Sequence, residues 1–174
     1  GTLGRSEKIA QPQYLETIAN LLERDHRLIF HWTGKTESQV VIDFFNTKHL
    51  SSRIHYHGWV QPEEYLKHLD LYLDTFPFGT GQTLVCAGCL GLPLVMMNSP
   101  YEANFSNLIK KESFLYGFIA DSCPEYINLV MNIVNDEVRS FSTDICESAL
   151  QAFTLNHSNN SGNVSGLAHQ LFSS

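Results

Sequence analysis

Apolar residues along this chain alternate between runs with the 3.6-residue spacing of helices and short stretches that read as strands. Leu15, Ile18, Ala19 and Leu22 follow Pro12 at helical spacing, and proline suits a first helical turn because its missing N–H needs no partner there. Residues 27–32 read as a short buried strand. Thr36 and Gln39 have capping-box spacing ahead of an apolar stripe at Val40, Val41, Phe44 and Phe45. Ile54 and Tyr56 alternate with His55 and His57, which predicts a strand over 53–57 with both histidines on one side. Pro62, Glu63 and Glu64 open a helix that ends by about Leu69, its two acids placed where the helix dipole favours them.

Residues 71–76 form the next strand, and a Pro-Phe-Gly-Thr-Gly loop over 77–81 follows. Residues 82–90 are apolar enough for a buried helix, with Gly91 as its C-terminal cap. A strand over 93–97, a helix over 101–111 and a strand over 117–121 come next. Pro124 opens a helix with an apolar stripe at Ile127, Val130, Met131 and Val134, and Thr143 can cap a last helix through Phe153. Residues 156–166 turn rich in serine, asparagine and glycine, which marks an exposed tail after a domain over 1–155. This alternation of strand and helix is the signature of an α/β fold, a parallel sheet with crossover helices. The opening Gly1-Thr2-Leu3-Gly4 reads as loop with no strand before it, as at a cut within a longer protein.

Composition narrows the function classes. The 174 residues suit one domain, and 43% hydrophobic against 17% charged residues mark a globular chain. A formal net charge of -7 argues against nucleic acid or an anionic membrane as partner. It leaves room for a nucleotide, which needs one local anion site. No stretch approaches the ~20 apolar residues of a membrane span, and no signal peptide opens the chain. The cysteines Cys86, Cys89, Cys123 and Cys146 are too few and too unevenly spaced for a disulfide scaffold, so a reducing cytoplasm is the expected location.

In an open parallel sheet, ligands bind beyond the C-terminal strand ends. Two loops there have suitable chemistry. The first is residues 1–8, small residues leading to Lys8 before a helix. The second is residues 76–83, where Gly79 and Gly81 let a ligand come close to the backbone. Thr80, Gln82 and Thr83 supply donors there, and the start of the following helix favours an anion. The second loop is neither a P-loop nor a G-x-G-x-x-G turn, and spacing alone fits a phosphate site and an ordinary glycine loop equally.

The stretch over 53–95 resembles the nucleotide-sugar lobe of GT-B glycosyltransferases of the O-GlcNAc transferase group, and in particular the N-glycosyltransferases that glucosylate bacterial adhesins. The residues that carry the likeness are Leu71-Tyr72-Leu73-Asp74-Thr75-Phe76-Pro77-Phe78-Gly79, then Thr80 to Thr83, then Leu90-Gly91-Leu92-Pro93-Leu94-Val95. Softer matches are Glu7-Lys8-Ile9 upstream, and Gly117-Phe118-Ile119-Ala120 with Glu125-Tyr126-Ile127 downstream. The resemblance implies a Rossmann-like parallel sheet with helices on both faces, the C-terminal lobe of a GT-B enzyme. It implies a UDP-sugar as donor substrate, no metal, and a protein or peptide acceptor bound through an N-terminal lobe outside this chain. By position, Lys8 meets the diphosphate; Thr80, Gly81, Gln82 and Thr83 hold phosphate and ribose; Trp59 and Tyr65 border the base. Two departures stand out. Gln82 replaces an asparagine of the adhesin-type enzymes, and Cys86 replaces an aspartate that accepts from the ribose hydroxyls, a role for which a thiol is poorly suited.

Each signal has a plainer alternative. By itself Lys8 reads as a solvated surface lysine. Cys86 and Cys89 form C-x-x-C inside a buried helix with no second pair at ligand spacing, which fits small core cysteines. His55 and His57 fit structural histidines, Glu102 fits an exposed helix-start acid, and the sequons at Asn104, Asn156, Asn159 and Asn163 follow from composition. Three functions stay open: an inverting transferase lobe, a degenerate lobe serving oligomerisation or partner binding, and another two-lobed sugar-nucleotide enzyme such as an epimerase.

Overall fold

The computed structural model describes residues 1–98 and 119–135. The helices expected over 101–111 and 143–153, the tail from 156, Glu102 and all four sequons lie outside the described residues. The elements run α1 (Ser6–Ile9), α2 (Pro12–Arg24), β1 (Phe30–Trp32), α3 (Gln39–Thr47) and β2 (Ile54–Tyr56). They continue with α4 (Pro62–Leu66), β3 (Tyr72–Leu73), α5 (Gln82–Cys89), β4 (Leu94–Met97), β5 (Ile119–Ala120) and α6 (Cys123–Val134).

All strand pairing is parallel. β1 pairs with β2, and β4 lies between β3 and β5. The opening residues, read from sequence as loop, join these two ladders. Thr2 forms a parallel bridge to Trp32 and donates its N–H to the His31 carbonyl at 2.9 Å. On the other side Leu73 donates to the Gly1 carbonyl at 2.8 Å. Residues 1–3 are therefore the central strand, too short and too rich in small residues to announce themselves by periodicity. The sheet order becomes β2, β1, residues 1–3, β3, β4, β5. With residues 1–3 counted as the first of the six strands among the described residues, this is the 3-2-1-4-5-6 order of doubly wound sheets.

The register Phe30 to Ile54, His31 to His55 and Trp32 to Tyr56 puts alternate residues on opposite faces. One face is apolar. There Phe30 meets Tyr14 of α2 and Phe45 of α3, each with ring centroids 6.3 Å apart, and Trp32 lies 4.5 Å from Tyr56. α2 also packs against α6. The opposite face carries His31, His55 and His57, and Tyr65 of α4 meets the His57 ring there at 5.0 Å. α4 packs on α5, so helices cover both faces.

Several elements are shorter than their apolar runs. The stretch over 27–32 yields only a three-residue strand, because Arg27 turns back to donate its backbone and side-chain N–H groups to Asp25. β3 spans only Tyr72 and Leu73; the Asp74 N–H still reaches the Val95 carbonyl of β4 at 2.9 Å, while its side chain serves a loop. The capping box does not form: Ser38 is the N-cap, no side chain caps α3, and Gln39 pairs with Asp43 at 2.8 Å. Val41 and Phe45 of the predicted stripe are buried, but Val40 is 59% exposed. In α6 the buried stripe is Tyr126, Ile127, Val130 and Ile133, with Met131 and Val134 half-covered.

The histidine face sets a pH dependence. His31 Nδ1 lies 2.9 Å from His57 Nε2, and the His31 ring stacks on His55 at 5.3 Å. Two imidazolium charges about 5 Å apart repel by on the order of 1 kcal/mol even at the dielectric of water. Burial lowers the His31 pKa first, with the Gly1 amine, His57 and His55 adding to the effect and Asp70 opposing it. Burial and then His55 lower that of His57. Unfolded histidine titrates near pH ~6.5, so the unfolded chain takes up these protons before the folded one does. The stability held by the neutral pair is present above that pH and is lost as pH falls through it towards the lower folded values. The melting temperature is expected to drop more between pH 7.5 and 5.5 in the parent than in the double variant His31→Gln, His57→Gln.

Candidate functional site

The sheet reverses its order between residues 1–3 and β3, and the loops after those two strands leave it side by side. One is the turn at Gly4 into α1; the other is residues 74–81 leading into α5. Their approach is close at Gly4. A Cβ on Gly4 would sit 3.1 Å from the Thr80 methyl group. The two loops are also joined directly, since the Lys8 Nζ donates to the Gly79 carbonyl. Lys8 and the glycine loop, 71 positions apart in sequence, thus meet where doubly wound sheets bind their ligands.

The second loop is braced from within. Thr75 Oγ1 donates to the Phe78 carbonyl at 2.7 Å. Asp74 Oδ1 accepts from both the Thr80 N–H at 2.8 Å and the Thr80 hydroxyl at 2.6 Å. Gly81 has φ 60 and ψ -101, a backbone that residues with a Cβ rarely adopt, and it serves as the N-cap of α5. No side chain caps that helix. Its first N–H groups lack intrahelical acceptors and carry the positive end of the helix dipole, so they face the loop as anion donors.

The sequence-predicted residues fall into two groups. Lys8, Thr80 and Gly81 come together at the reversal, with Gln82 exposed, Thr83 half-buried and Cys86 one turn further along α5. The Thr80 hydroxyl is turned inward, onto Asp74 and, at 2.5 Å, Tyr72. Trp59 is 69% exposed in the loop after β2. Tyr65 has His57 as its ring neighbour, and burial pushes its phenol up to about 12. Three supports had no role assigned from sequence: Gly4, Tyr72 and Asp74. Asp74 had left a signal, as the one charged residue inside the apolar run 71–76.

Among the described residues no group of three or more His, Cys, Asp or Glu is arranged to hold a metal ion. No described helix is long and apolar enough to cross a membrane. A cavity of about 240 Å³ lies elsewhere, at the N-terminal edge of the sheet, lined by Ile18, Leu22, Leu28, Leu71 and Val130 among others. Its lining also includes Arg27, His31, His68 and Asp70, and the strand direction puts it opposite Lys8 and the glycine loop.

No protein-family model matches the sequence, and no curated protein matches it either. The fold does match solved structures. A mutant of the O-GlcNAc transferase of Thermobaculum terrenum superposes with a TM-score of 0.74 at 16% identity, over 87% of this chain and 31% of that one. The pneumococcal O-GlcNAc transferase GtfA, solved in complex with UDP and GlcNAc, gives 0.61 at 16% identity, over 91% and 34%. The chain therefore has the α/β fold found in O-GlcNAc-transferase-like GT-B glycosyltransferases, and it spans about a third of the length of these two.

The backbone at Gly81 gives a direct check. Gly81→Ala is expected to cost about 1–2 kcal/mol, because the positive φ is strained for any residue with a Cβ even though open space surrounds it. A urea unfolding series read by circular dichroism measures the difference.

Proposed function

We propose that this chain is the donor-binding, C-terminal lobe of an inverting glycosyltransferase that takes a UDP-hexose. The observation that carries the reading is the meeting of Lys8 with the Gly79 carbonyl at the sheet reversal, next to an uncapped helix start. A diphosphate placed there replaces the carbonyl as the partner of the Lys8 ammonium and takes the α5 N–H groups as donors. When an acceptor nucleophile displaces the diphosphate with inversion at the anomeric carbon, both groups offset the charge that builds on the leaving oxygen. Gln82, Thr83 and Cys86 line the ribose side, and Trp59 and Tyr65 the base side. A second lobe brings the protein or peptide acceptor and the general base.

Calorimetric titration with UDP, UDP-glucose, UDP-GlcNAc and ADP-heptose tests the donor. Lys8→Ala should weaken UDP binding tenfold or more, because a charge-assisted contact is worth about 1.5–3 kcal/mol. Uridine binding and the melting temperature should stay near parent values. Equal UDP affinity in variant and parent returns Lys8 to a surface role. The purified 174-residue chain should transfer no sugar to peptides, since the acceptor half of the cleft is not part of it.

Cys86 supports a second reading, a lobe that keeps the fold but has lost tight nucleotide binding and serves assembly. The side chain lies one turn after Gln82 on the same face of α5, where a carboxylate could accept from two ribose hydroxyls. Cys86→Asp should strengthen UDP binding by about 1–3 kcal/mol if those hydroxyls pair with it. A variant that loses stability and still binds no UDP favours the assembly reading, because a buried carboxylate without partners is destabilising.

A further inference from the structure

Asp74 is 2% exposed, yet no sequence argument gives it a ligand. Its surroundings form a directed chain. A carboxylate only accepts, so the Thr80 hydroxyl donates to Asp74 Oδ1, which leaves Thr80 Oγ1 as the acceptor of the Tyr72 hydroxyl at 2.5 Å. Tyr72 is fully buried, and burial raises its pKa well above the ordinary value, so it remains a neutral donor. The same Oδ1 accepts the Thr80 N–H at 2.8 Å. The Asp74 carbonyl in turn accepts the hydroxyl of buried Tyr126 at 2.9 Å. Backbone and side chain of one residue thus tie the glycine loop to both the sheet and α6.

Resting on the nucleotide reading above, we propose that Asp74 is a positioning residue for the diphosphate. Through Thr80 it holds the Gly79 carbonyl against Lys8 and aims the first N–H groups of α5. The Thr80 hydroxyl is then a loop brace and not a phosphate donor, and the donors left to the ligand are Lys8 and backbone. The geometry needs an acceptor at position 74 more than it needs a negative charge. Asp74→Asn keeps an oxygen able to accept both Thr80 bonds; Asp74→Ala keeps none. Thr80→Ser keeps the hydroxyl, and Thr80→Val keeps the bulk without it.

Calorimetry with UDP and with uridine on these four variants tests the proposal, alongside hydrogen exchange of the backbone N–H groups over 80–84. Asp74→Ala and Thr80→Val should weaken UDP roughly tenfold, about the worth of one hydrogen bond, with uridine changed by less than about twofold. Asp74→Asn and Thr80→Ser should stay within about threefold of the parent for both ligands. Exchange over 80–84 should quicken in Asp74→Ala alone, because Thr80→Val retains the N–H bond to Asp74. Equal losses of UDP and uridine, or none, overturn the positioning role. A parent that binds neither ligand refutes the nucleotide reading and the diphosphate role with it. Unchanged exchange in Asp74→Ala refutes the brace separately.

Discussion

The insertion of three residues between two ladders is the constraint on which the remaining architecture depends. Thr2 bonds to His31 on one side and Leu73 bonds to Gly1 on the other, and these contacts turn a two-stranded and a three-stranded ladder into one sheet. They also create the reversal. Crossovers before that point lead outward to β2, crossovers after it lead outward to β5, and only at the centre do two adjacent strands send their loops in different directions. A cleft forms there without any side chain being spent on it. Leu3 and Thr2 are buried at this junction, so the turn at Gly4 leaves from a fixed point and brings α1, with Lys8, against residues 79–80.

Three buried tyrosines hold the other half of the cleft in place. Tyr14 donates to the Leu73 carbonyl at 3.1 Å, Tyr126 to those of Asp74 and Val95, and Tyr72 reaches Thr80. The Leu73 and Asp74 carbonyls lie at the end of β3, and the Val95 carbonyl of β4 also accepts the Asp74 N–H at 2.9 Å. An unpaired buried carbonyl costs about as much as a lost hydrogen bond, so a two-residue strand with a loop after it needs side-chain donors. Aromatic rings meet this need while filling the core: Phe76 packs edge-on against Tyr14 at 5.2 Å and tilted against Tyr126 at 5.2 Å. The result is a packed floor beneath the glycine loop.

How much of this was legible depends on the length scale of the signal. Amphipathic helices announce themselves over ten or more residues, and α2 and α6 lie where their apolar stripes put them. The position of Gly91 with φ 68 after α5 was equally readable, because only the helix terminus asks for that conformation. Residues 1–3 were not readable as strand, since three residues carry no period and their partners lie 29 or more positions away. The capping box at Thr36 failed for a related reason. Tertiary contacts hold that loop, with Ser6 donating to the Thr36 carbonyl and Tyr56 to that of Gly34, and they move the helix start to Gln39. Lys8 and the loop over 79–83 were singled out by composition and family likeness, and the structure brings the two together. Asp74 lies within the most diagnostic run of residues, but its partners become visible only when Thr80 folds back onto it.

The inward Thr80 and the thiol at Cys86 bear on the same question of what the cleft can hold. Thr80 is committed to Asp74, which places a carboxylate beneath the loop. An anion bound above it is tolerated only if stronger positive charge lies closer. Lys8 and the start of α5 supply positive charge there, and the helix contributes roughly half an elementary charge. Cys86 adds no third anion one turn along, where an aspartate would place one. On the donor-lobe reading, a thiol there offers the ribose no strong acceptor but also leaves the phosphate end with less negative potential. Under that reading, affinity for a phosphate group and affinity for a nucleoside should respond in opposite directions to a carboxylate at residue 86. On the donor-lobe reading proposed above, this balance of charge favours a diphosphate over a nucleoside as the group the cleft holds.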